Sequence, residues 1–453
     1  MKKVDGILAL IEGFKDGGVD IVTNFPGYYS HKIFAGLGGK QTSVNEKIGY
    51  EIAWGASLMG KRSLTTFKNV GLSDAADPFL NSYLVGTKGG FVVLVFDDIE
   101  VEGSQSRQDS RNYFDFFGGL WFEPYTVESA YQYAYDSFEL SEKFSLPVVI
   151  RVTNQLVHSS GIIHKRKRQK GNKRFTKNNN QHVVHPINST YQRGILAKKN
   201  EKIAKFVETL YKDNLPKGDL VNLIAGCNIR EEKEFNLKSK DIFRIFTYPI
   251  PLKKISSTLN KNIQVYEQGT DFLLEKVQAL QGNKVKGFTG TIPDNSKGYI
   301  VSKSYEKLFK ALAKIKNKVV IGDLGEYTKD SLDSINACLC FGSSISVALG
   351  AKLANKSKKL FSIIGDAAYL HSGKNVIPEL IERKIPANII VICNGGSQGT
   401  GGQSIPGELY YQPEKVDIYR KKYENTTSSE FLSILEEMLS SDSVSVLYLE
   451  IEQ

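Results

Sequence analysis

Short runs of β-branched and aromatic residues alternate with stretches of helical periodicity over the first 160 residues or so. The runs are "VDIVTNFPG", "SLTTFKN", "GGFVVLVFDD" and "LPVVIRVT", and stretches such as "VNEKIGYEIAWGASLMG" and "SAYQYAYDSFELSEKF" separate them. This alternation is typical of a parallel sheet covered by helices on both faces. The opening stretch, "MKKVDGILALIEGF", is interrupted by acidic and glycine residues, and no small-residue cleavage site follows it. It therefore predicts an amphipathic helix rather than a signal peptide.

The same alternation returns in the last third of the chain, with apolar runs in "NKVVIGDLG", "KKLFSIIGD", "ANIIVICNG" and "VSVLYLEIE". Between the two regions, "GDLVNLIAGC", "DIFRIFTYPIPL" and "KNIQVYEQGTDFLLEKVQAL" indicate a smaller unit of the same class. We therefore predict an α/β protein with two parallel-sheet domains and a smaller α/β middle domain. The predicted boundaries are 1–160, a basic linker at 161–200, the middle domain at 201–290 and the last domain at 300–453.

Composition and charge limit the cellular compartment and the binding partners that we expect for this chain. No apolar run is long enough to cross a bilayer, and the four cysteines form no C-x-x-C pair, which fits a reducing cytoplasm. Much of the net charge of +10 lies in one basic stretch, His164–His182. Its one aromatic residue, Phe175, does not make the interleaved pattern of a base-stacking surface, so we interpret it as a solvated linker rather than a nucleic-acid patch. We expect neither a membrane nor a nucleic acid as partner.

Polar residues follow two consecutive apolar runs near the C-terminus. Gly365 and Asp366 end "KKLFSIIGD", and Asn394 ends "ANIIVICNG", with Gly396 two residues later. Because ligands bind at the carboxyl ends of parallel strands, these residues are expected to meet at one edge of the sheet. A carboxylate, an amide oxygen and the Gly396 carbonyl suit Mg²⁺, which completes its shell with phosphate oxygens, and a helix start after Asp366 favours the same anion. The alternative is that Asp366 caps a helix and Asn394 occupies a turn.

The "GDA…N" pattern resembles the motif of thiamine-diphosphate enzymes, which runs from Gly-Asp-Gly to Asn-Asn. Ala367 stands in place of the last glycine and Cys393 in place of the first asparagine. By the same resemblance, Asp323 and Gly325 of "IGDLGEYTKD" lie on the diphosphate side. In "CFGSSISVALG", Phe341 is the residue that supports the bent cofactor, with Gly342 and Ser343 beside the diphosphate.

Thiamine chemistry also requires a carboxylic acid at a ring nitrogen of the aminopyrimidine, usually supplied by another subunit. "SVNEKIGYEIAWGASLMG" resembles the segment that provides it, with Glu46 at the position of the acid. Glu51 is the rival acid, and a surface glutamate at a helix start is the simpler interpretation of Glu46. The resemblance implies a homodimer or a tetramer of dimers.

Further segments resemble the α subunit of indolepyruvate:ferredoxin oxidoreductases. They include "FKNVGLSDAADPFLNSYLVGTKGGFVVLVFDD", "VYEQGTDFLLEKV" and "GDAAYLHSG", the last of which contains His371, a candidate acid or proton relay. "VTNFPGYYS" resembles the family's substrate loop. The resemblance implies five substrate-pocket candidates: Gly27, Tyr28, Tyr29, Lys68 and Gln398.

The sequence departs from this family where electron transfer is concerned. The cysteine-rich, ferredoxin-like segment of the family is not found before Gln453, and Glu326 and Gln155 replace a usual cysteine and arginine. In every such enzyme the cofactor ylid attacks the keto carbon and CO₂ leaves. We therefore expect a thiamine-diphosphate- and Mg²⁺-dependent 2-oxo acid decarboxylase or carboligase, with an aryl-pyruvate-like substrate among the options. One alternative is an oxidoreductase subunit that passes electrons to clusters on a separate chain, and another is a non-enzymatic scaffold.

Overall fold

The computed structural model of the chain describes residues 2–101, 107–171, 173–211, 215–281, 303–396, 398, 403, 407–410 and 413–452. The predicted domain boundaries at 290 and 300 lie outside these residues. No helix in the described ranges combines the length and the apolar character needed to span a bilayer.

The N-terminal unit is a parallel sheet with helices packed on it. Its elements are β1 (Lys2–Asp5), α1 (Gly6–Asp16), β2 (Ile21–Asn24), α2 (Ser30–Gly36), α3 (Glu46–Leu58), β3 (Ser63–Lys68), α4 (Gly71–Asp74), α5 (Ala76–Val85), β4 (Phe91–Phe96), α6 (Arg111–Phe117), β5 (Leu120–Phe122), α7 (Val127–Phe144), β6 (Val148–Val152), α8 (Asn154–Val157) and β7 (Ser160–Ile163). Strands pair in the order β5-β6-β4-β3-β2, all parallel, and β1 pairs with β7 separately. Strands β4 and β6 are buried at every position because helices cover both faces.

A connecting segment and a smaller unit follow. Their elements are α9 (Asn179–His182), α10 (Pro186–Leu210), β8 (Leu220–Ala225), α11 (Ile229–Glu234), a 3₁₀ turn (Ser239–Asp241), β9 (Ile242–Ile245), β10 (Thr247–Tyr248), α12 (Leu252–Ser256), β11 (Asn262–Tyr266) and α13 (Phe272–Gln281). Strands β11, β8 and β9 form a parallel sheet in that order, and β10 pairs antiparallel with β5 of the N-terminal sheet. Helix α10 begins inside the predicted linker, because Pro186 occupies its first turn and His185 caps it.

The C-terminal unit repeats the parallel architecture. Its elements are α14 (Glu306–Lys314), β12 (Lys318–Gly322), a 3₁₀ turn (Glu326–Lys329), α15 (Ser344–Ala354), β13 (Lys359–Gly365), α16 (Asp366–His371), a 3₁₀ turn (Gly373–Val376), α17 (Ile377–Arg383), β14 (Ala387–Cys393), β15 (Val416–Lys422), α18 (Ser428–Ser440) and β16 (Val444–Glu450). The order is β12-β13-β14-β16-β15, all parallel. The predicted class, an α/β protein with two parallel-sheet units and a smaller middle unit, is confirmed.

Helices α3 and α15 join the N-terminal and C-terminal units at backbone contact. A Cβ added at Gly350 would lie 1.9 Å from the Ile52 carbonyl oxygen, and one added at Gly55 would lie 2.2 Å from that of Val347. Only glycine permits so close an approach at both positions. The helix that begins at Glu46 is therefore held firmly against the helix that begins at Ser344.

Buried charges join the N-terminal unit to the middle unit. Arg151, which is 1% exposed, pairs with Asp97 at 2.7 Å and also with Glu123. Arg111 reaches across to Glu267 of the middle unit at 2.6 Å. Since each buried guanidinium has carboxylate partners, the desolvation of the charges is offset within the junction.

The basic segment lies along the N-terminal unit. Lys165 pairs with Glu12 at 2.6 Å, and the Gln169 backbone N–H donates to the Asp16 carbonyl at 2.7 Å. Further along, the Lys177 ammonium donates to the Asp333 carbonyl of the C-terminal unit at 2.7 Å. The segment thus runs over the surface of two units and engages several of their acidic or carbonyl oxygens.

Candidate active site

A pocket of about 290 Å³ opens at the carboxyl edge of the C-terminal sheet. Gly365 at the end of β13 is in register with Ile392 of β14, so the residues that follow both strands meet at this edge. The predicted cofactor and substrate residues that line it are Gly325, Phe341, Gly365, Asp366, Ala367, Asn394, Gly396 and Gln398. Tyr305, Glu326 and Tyr327 also line it.

Three polar groups converge inside this pocket: the Asp366 carboxylate, the Asn394 amide and the Gly396 carbonyl. The Asn394 amide nitrogen donates to Asp366 Oδ1 and to the Gly396 carbonyl oxygen, each at 3.2 Å. Asp366 Oδ2 accepts the backbone N–H groups of Gly395 (2.8 Å) and Gly396 (3.1 Å), which fixes the carboxylate. A hard cation binds carboxylate, carbonyl and amide oxygens, and rotation of the Asn394 amide would present its own oxygen to such an ion.

The chemistry of these donors suits an oxygen-seeking cation. In the described ranges no group of three or more His, Cys, Asp or Glu residues is placed to hold a metal, so the structure gives no sign there of a zinc-type site. The convergent set instead consists of a carboxylate, an amide and a backbone carbonyl, which are ligands of Mg²⁺ or Ca²⁺. Burial raises the pKa of Asp366, although the backbone N–H groups that it accepts oppose the rise. The residues therefore fit the metal and diphosphate that the motif implies.

Asp323 lies behind the pocket wall rather than on it. Its Oδ1 accepts the Gly342 N–H at 2.9 Å and its Oδ2 accepts the Ser344 N–H at 3.1 Å, while the side chain is fully buried. Burial raises the pKa of Asp323 to about 7. Gly342 has φ +82° and packs against Ser372, so a side chain there would collide. Asp323, Gly342 and Ser343 thus shape the loop that presents Phe341 to the pocket.

His371 ends helix α16, on the far side of Phe341. The His371 and Phe341 rings meet edge to face with centroids 5.2 Å apart, and His371 Nδ1 lies 3.0 Å from Ser372 Oγ. His371 is exposed and does not line the pocket around Asp366. It can exchange protons with solvent at the margin of the pocket.

Glu46 is the first residue of α3, after Asn45, whose side chain accepts the Ile48 N–H at 2.8 Å. The half-buried carboxyl has a raised pKa, chiefly through burial and also through the neighbouring charge of Asp74. Gly71 packs against it so closely that an added Cβ would lie 2.5 Å from Glu46 Cγ. A raised pKa lets a carboxyl hold its proton to higher pH, which suits a group that donates a proton. Glu46 is not among the described residues that line the pocket of its own chain.

Glu51, the rival acid, has no comparable access. It is 1% exposed, pairs with Lys47 and accepts a hydrogen bond from Ser346. The geometry therefore favours Glu46 over Glu51 as the acid that reaches a ligand.

The predicted substrate residues of the N-terminal unit form a separate cluster at its own sheet edge. The Tyr28 hydroxyl donates to Asn154, and Tyr28 adopts a left-handed backbone with φ 49°. Lys68 pairs with buried Asp98 at 2.7 Å, so its charge is already engaged. Gly27 packs on Lys68, with an added Cβ 3.0 Å from the lysine Cβ. Gly27, Tyr28, Tyr29 and Lys68 do not line the pocket around Asp366.

Sequence reasoning missed three residues at the pocket or on its wall. The Tyr327 hydroxyl accepts the Gly365 N–H at 2.9 Å, Tyr305 interacts with Asn394, and Lys47 contacts the Phe341 carbonyl. In the sequence, only the position of Lys47 beside Glu46 pointed to any of these three residues.

The chain is similar to known thiamine pyrophosphate enzymes and to IorA subunits. The model of the thiamine pyrophosphate enzyme C-terminal TPP-binding domain matches residues 324–445. Indolepyruvate oxidoreductase subunit IorA of Archaeoglobus fulgidus is 27% identical, covering 88% of this chain and 75% of that one. The IorA subunit of Methanothermobacter marburgensis is 24% identical, covering 88% and 76%.

Among solved structures, the thiamine diphosphate-dependent 4-hydroxybenzoylformate decarboxylase of Rhodococcus jostii RHA1 shares the fold. It has a TM-score of 0.56 and 13% identity, covering 99% of both chains. The matched domain contains Asp366, Asn394 and Gly396. The chain thus carries a thiamine pyrophosphate-binding domain at residues 324–445, is similar to IorA subunits over 88% of its length and has the fold of a thiamine diphosphate-dependent enzyme.

Proposed function

We propose that this chain catalyses the thiamine-diphosphate- and Mg²⁺-dependent decarboxylation of a 2-oxo acid, followed by protonation or by ligation to a second carbonyl compound. The observation that carries the proposal is the convergence of the Asp366 carboxylate, the Asn394 amide and the Gly396 carbonyl in one pocket, with the amide 3.2 Å from an oxygen of each of the other two. Phe341 and the start of helix α16 line the same pocket. This combination supports a site for a metal-bound diphosphate with an apolar wall beside it.

When bound, thiamine diphosphate supplies a nucleophilic carbon that adds to the keto carbon, and it accepts the electron pair left by departing CO₂. Asp366, Asn394 and the Gly396 carbonyl would hold Mg²⁺. The Glu46 carboxyl would hold a proton against a ring nitrogen of the cofactor. His371 would deliver a proton through Nε2, because Nδ1 is engaged with Ser372.

The burial of the four cysteines favours protonation or ligation over electron transfer to an iron–sulfur cluster held by this chain. Cys227, Cys338, Cys340 and Cys393 are each buried and free, and none lines the pocket around Asp366. Burial raises the pKa of Cys227 and Cys393 to about 12, which disfavours the thiolates that an iron–sulfur cluster needs.

A second candidate function is 2-oxo acid oxidation, with electrons passed to iron–sulfur clusters on a separate chain. The specific observation that favours it is the similarity to IorA subunits over 88% of the chain. The two functions share the decarboxylation step and differ in the fate of the electron pair. The second requires a separate electron-transfer subunit or segment.

We also propose that a second copy of the chain completes the site, as a homodimer or a tetramer of dimers. Glu46 does not line its own chain's pocket. Val44 and Val70, near it, are 43% and 37% exposed and would be available to a neighbouring subunit. A sedimentation measurement that found only monomer in the active protein would contradict this arrangement.

The test of function is turnover of a panel of 2-oxo acids, including pyruvate, phenylpyruvate and indolepyruvate. Purified chain is incubated with thiamine diphosphate and Mg²⁺, and CO₂ and aldehyde or acyloin are measured without an electron acceptor. We expect product without the acceptor. Turnover that begins only when a low-potential acceptor is added would overturn decarboxylation in favour of the second candidate.

A further inference from the structure

Lys47 is a buried lysine of helix α3 that reaches out of the N-terminal unit into the C-terminal one. Its ammonium lies 3.3 Å from the Phe341 carbonyl oxygen and 3.7 Å from Cys340 Sγ. It is ion-paired with Glu51 one turn later on the same helix, and the whole residue is 8% exposed. The contact therefore places an N-terminal cation directly on the loop that carries Phe341.

The loop is fixed from two sides. On one side Asp323 accepts the N–H groups of Gly342 and Ser344 at 2.9 and 3.1 Å. On the other side Lys47 donates to the Phe341 carbonyl. The peptide group that follows Phe341 is thus held at both its carbonyl and its N–H, so the ring that lines the pocket has a fixed base.

The charge state of Lys47 suits this role. Burial lowers the pKa of Lys47, but Glu51, together with Cys340 and Asp77, more than offsets this effect, and the pKa lies above its ordinary value. Glu51 also accepts a hydrogen bond from Ser346 on helix α15. A buried ion pair of this kind adds little net stability compared with apolar residues of the same volume, because both charges are desolvated. Stability alone therefore does not account for a charged pair aimed at the pocket wall.

We propose that Lys47 is a positioning residue of the cofactor pocket, which acts by holding the Phe341 carbonyl and so the ring that supports the bound cofactor. This inference rests on the proposed function. Its neighbour Glu46 begins the same helix and does not line this pocket. Helix α3 therefore contacts the pocket wall of its own chain through Lys47, even though Glu46 on the same helix does not line that pocket.

The test uses the full chain and removes both charges together, because removing Lys47 alone would leave Glu51 as an uncompensated buried charge. The variants are Lys47→Met with Glu51→Gln, and Lys47→Gln with Glu51→Gln. The glutamine at position 47 is neutral and shorter than the lysine that it replaces. The matched control is Lys199→Met. Lys199 also donates to a backbone carbonyl, that of Ser145 at 2.8 Å, at the surface where α10 passes the N-terminal unit.

The readouts are the Kd of thiamine diphosphate at saturating Mg²⁺, by calorimetry, and the thermal unfolding midpoint. We expect both double variants to weaken binding by about 3- to 10-fold, the effect of one hydrogen bond, with midpoints no lower than that of Lys199→Met. Lys199→Met keeps the wild-type Kd. If either folded double variant binds as tightly as wild type, the positioning role is refuted. If wild type itself does not bind thiamine diphosphate, the proposed function fails instead.

Discussion

Substituting Gly350 tests whether the helix contact between the two large units is as tight as the structure indicates. In Gly350→Ala the new methyl would lie 1.9 Å from the Ile52 carbonyl oxygen and 2.7 Å from its carbon. Both atoms belong to backbone, so helices α3 and α15 would have to separate by about 1 Å. Overpacking of this kind costs about 1–3 kcal/mol, and the gain of alanine over glycine within a helix returns only about 1 kcal/mol. We expect a net destabilisation.

The matched control is Gly194→Ala in helix α10, where an added Cβ has no atom within 4 Å. There only the helix propensity acts, and we expect a stabilisation of up to about 1 kcal/mol. Urea unfolding followed by circular dichroism would compare the midpoints, since a multidomain chain need not unfold in two states. A Gly350→Ala midpoint equal to that of Gly194→Ala would refute the close contact. The same variant should weaken cofactor binding, because α15 begins at Ser344 beside the Phe341 loop.

Three further outcomes are expected at the site itself. Glu46→Gln should lower turnover by about 10²-fold or more, the range for loss of an acid–base group. The control Glu306→Gln, which also changes the first residue of a helix, should not lower it. Equal turnover in both variants would exclude Glu46 as the acid. Chelation of Mg²⁺ should lower the unfolding temperature of cofactor-loaded wild type but not of Asp366→Ala, and a shift of the same size in both would place the metal elsewhere. Asp323 should make the cofactor-free protein less stable as pH rises. Its carboxyl ionises near 3.8 when unfolded but near 7 when folded, so the folded state holds the extra proton between these values. The wild type would lose up to about 4 kcal/mol of folding free energy between pH 4 and 7, and Asp323→Asn would not. A wild-type stability that did not change with pH over this range would contradict the prediction.

The strands of both large sheets were predictable because fully buried parallel strands read as apolar runs. The missed strands are of another kind. β15, "VDIYRKK", is an edge strand with a largely exposed, charged end, and β5 has only three residues. Neither carries a pattern that distinguishes it from a loop.

The cofactor half of the site was predictable for a topological reason. Asp366 and Asn394 follow consecutive parallel strands, and such strand ends meet whatever the loops do. The contacts of Lys47 with Phe341 and of Tyr327 with Gly365 join positions 294 and 38 apart in sequence. Periodicity carries no information about such pairings. The engagement of Lys68 by Asp98 was hidden for the same reason, and it leaves the predicted role of Lys68 toward a substrate carboxylate as a proposal that requires that ion pair to open.

The two-residue strand β10 makes the edge of the N-terminal sheet dependent on the middle unit. It covers the outer side of β5, the end of the N-terminal sheet, with Thr247 opposite Phe122 and Tyr248 opposite Trp121. Without it, β5 would present unpaired backbone groups next to a buried tryptophan, which is the surface from which sheets aggregate. The middle unit is therefore also the edge protection of the N-terminal sheet. Excision of the middle unit should give an insoluble N-terminal fragment, and swapping it between relatives requires that this pairing be kept.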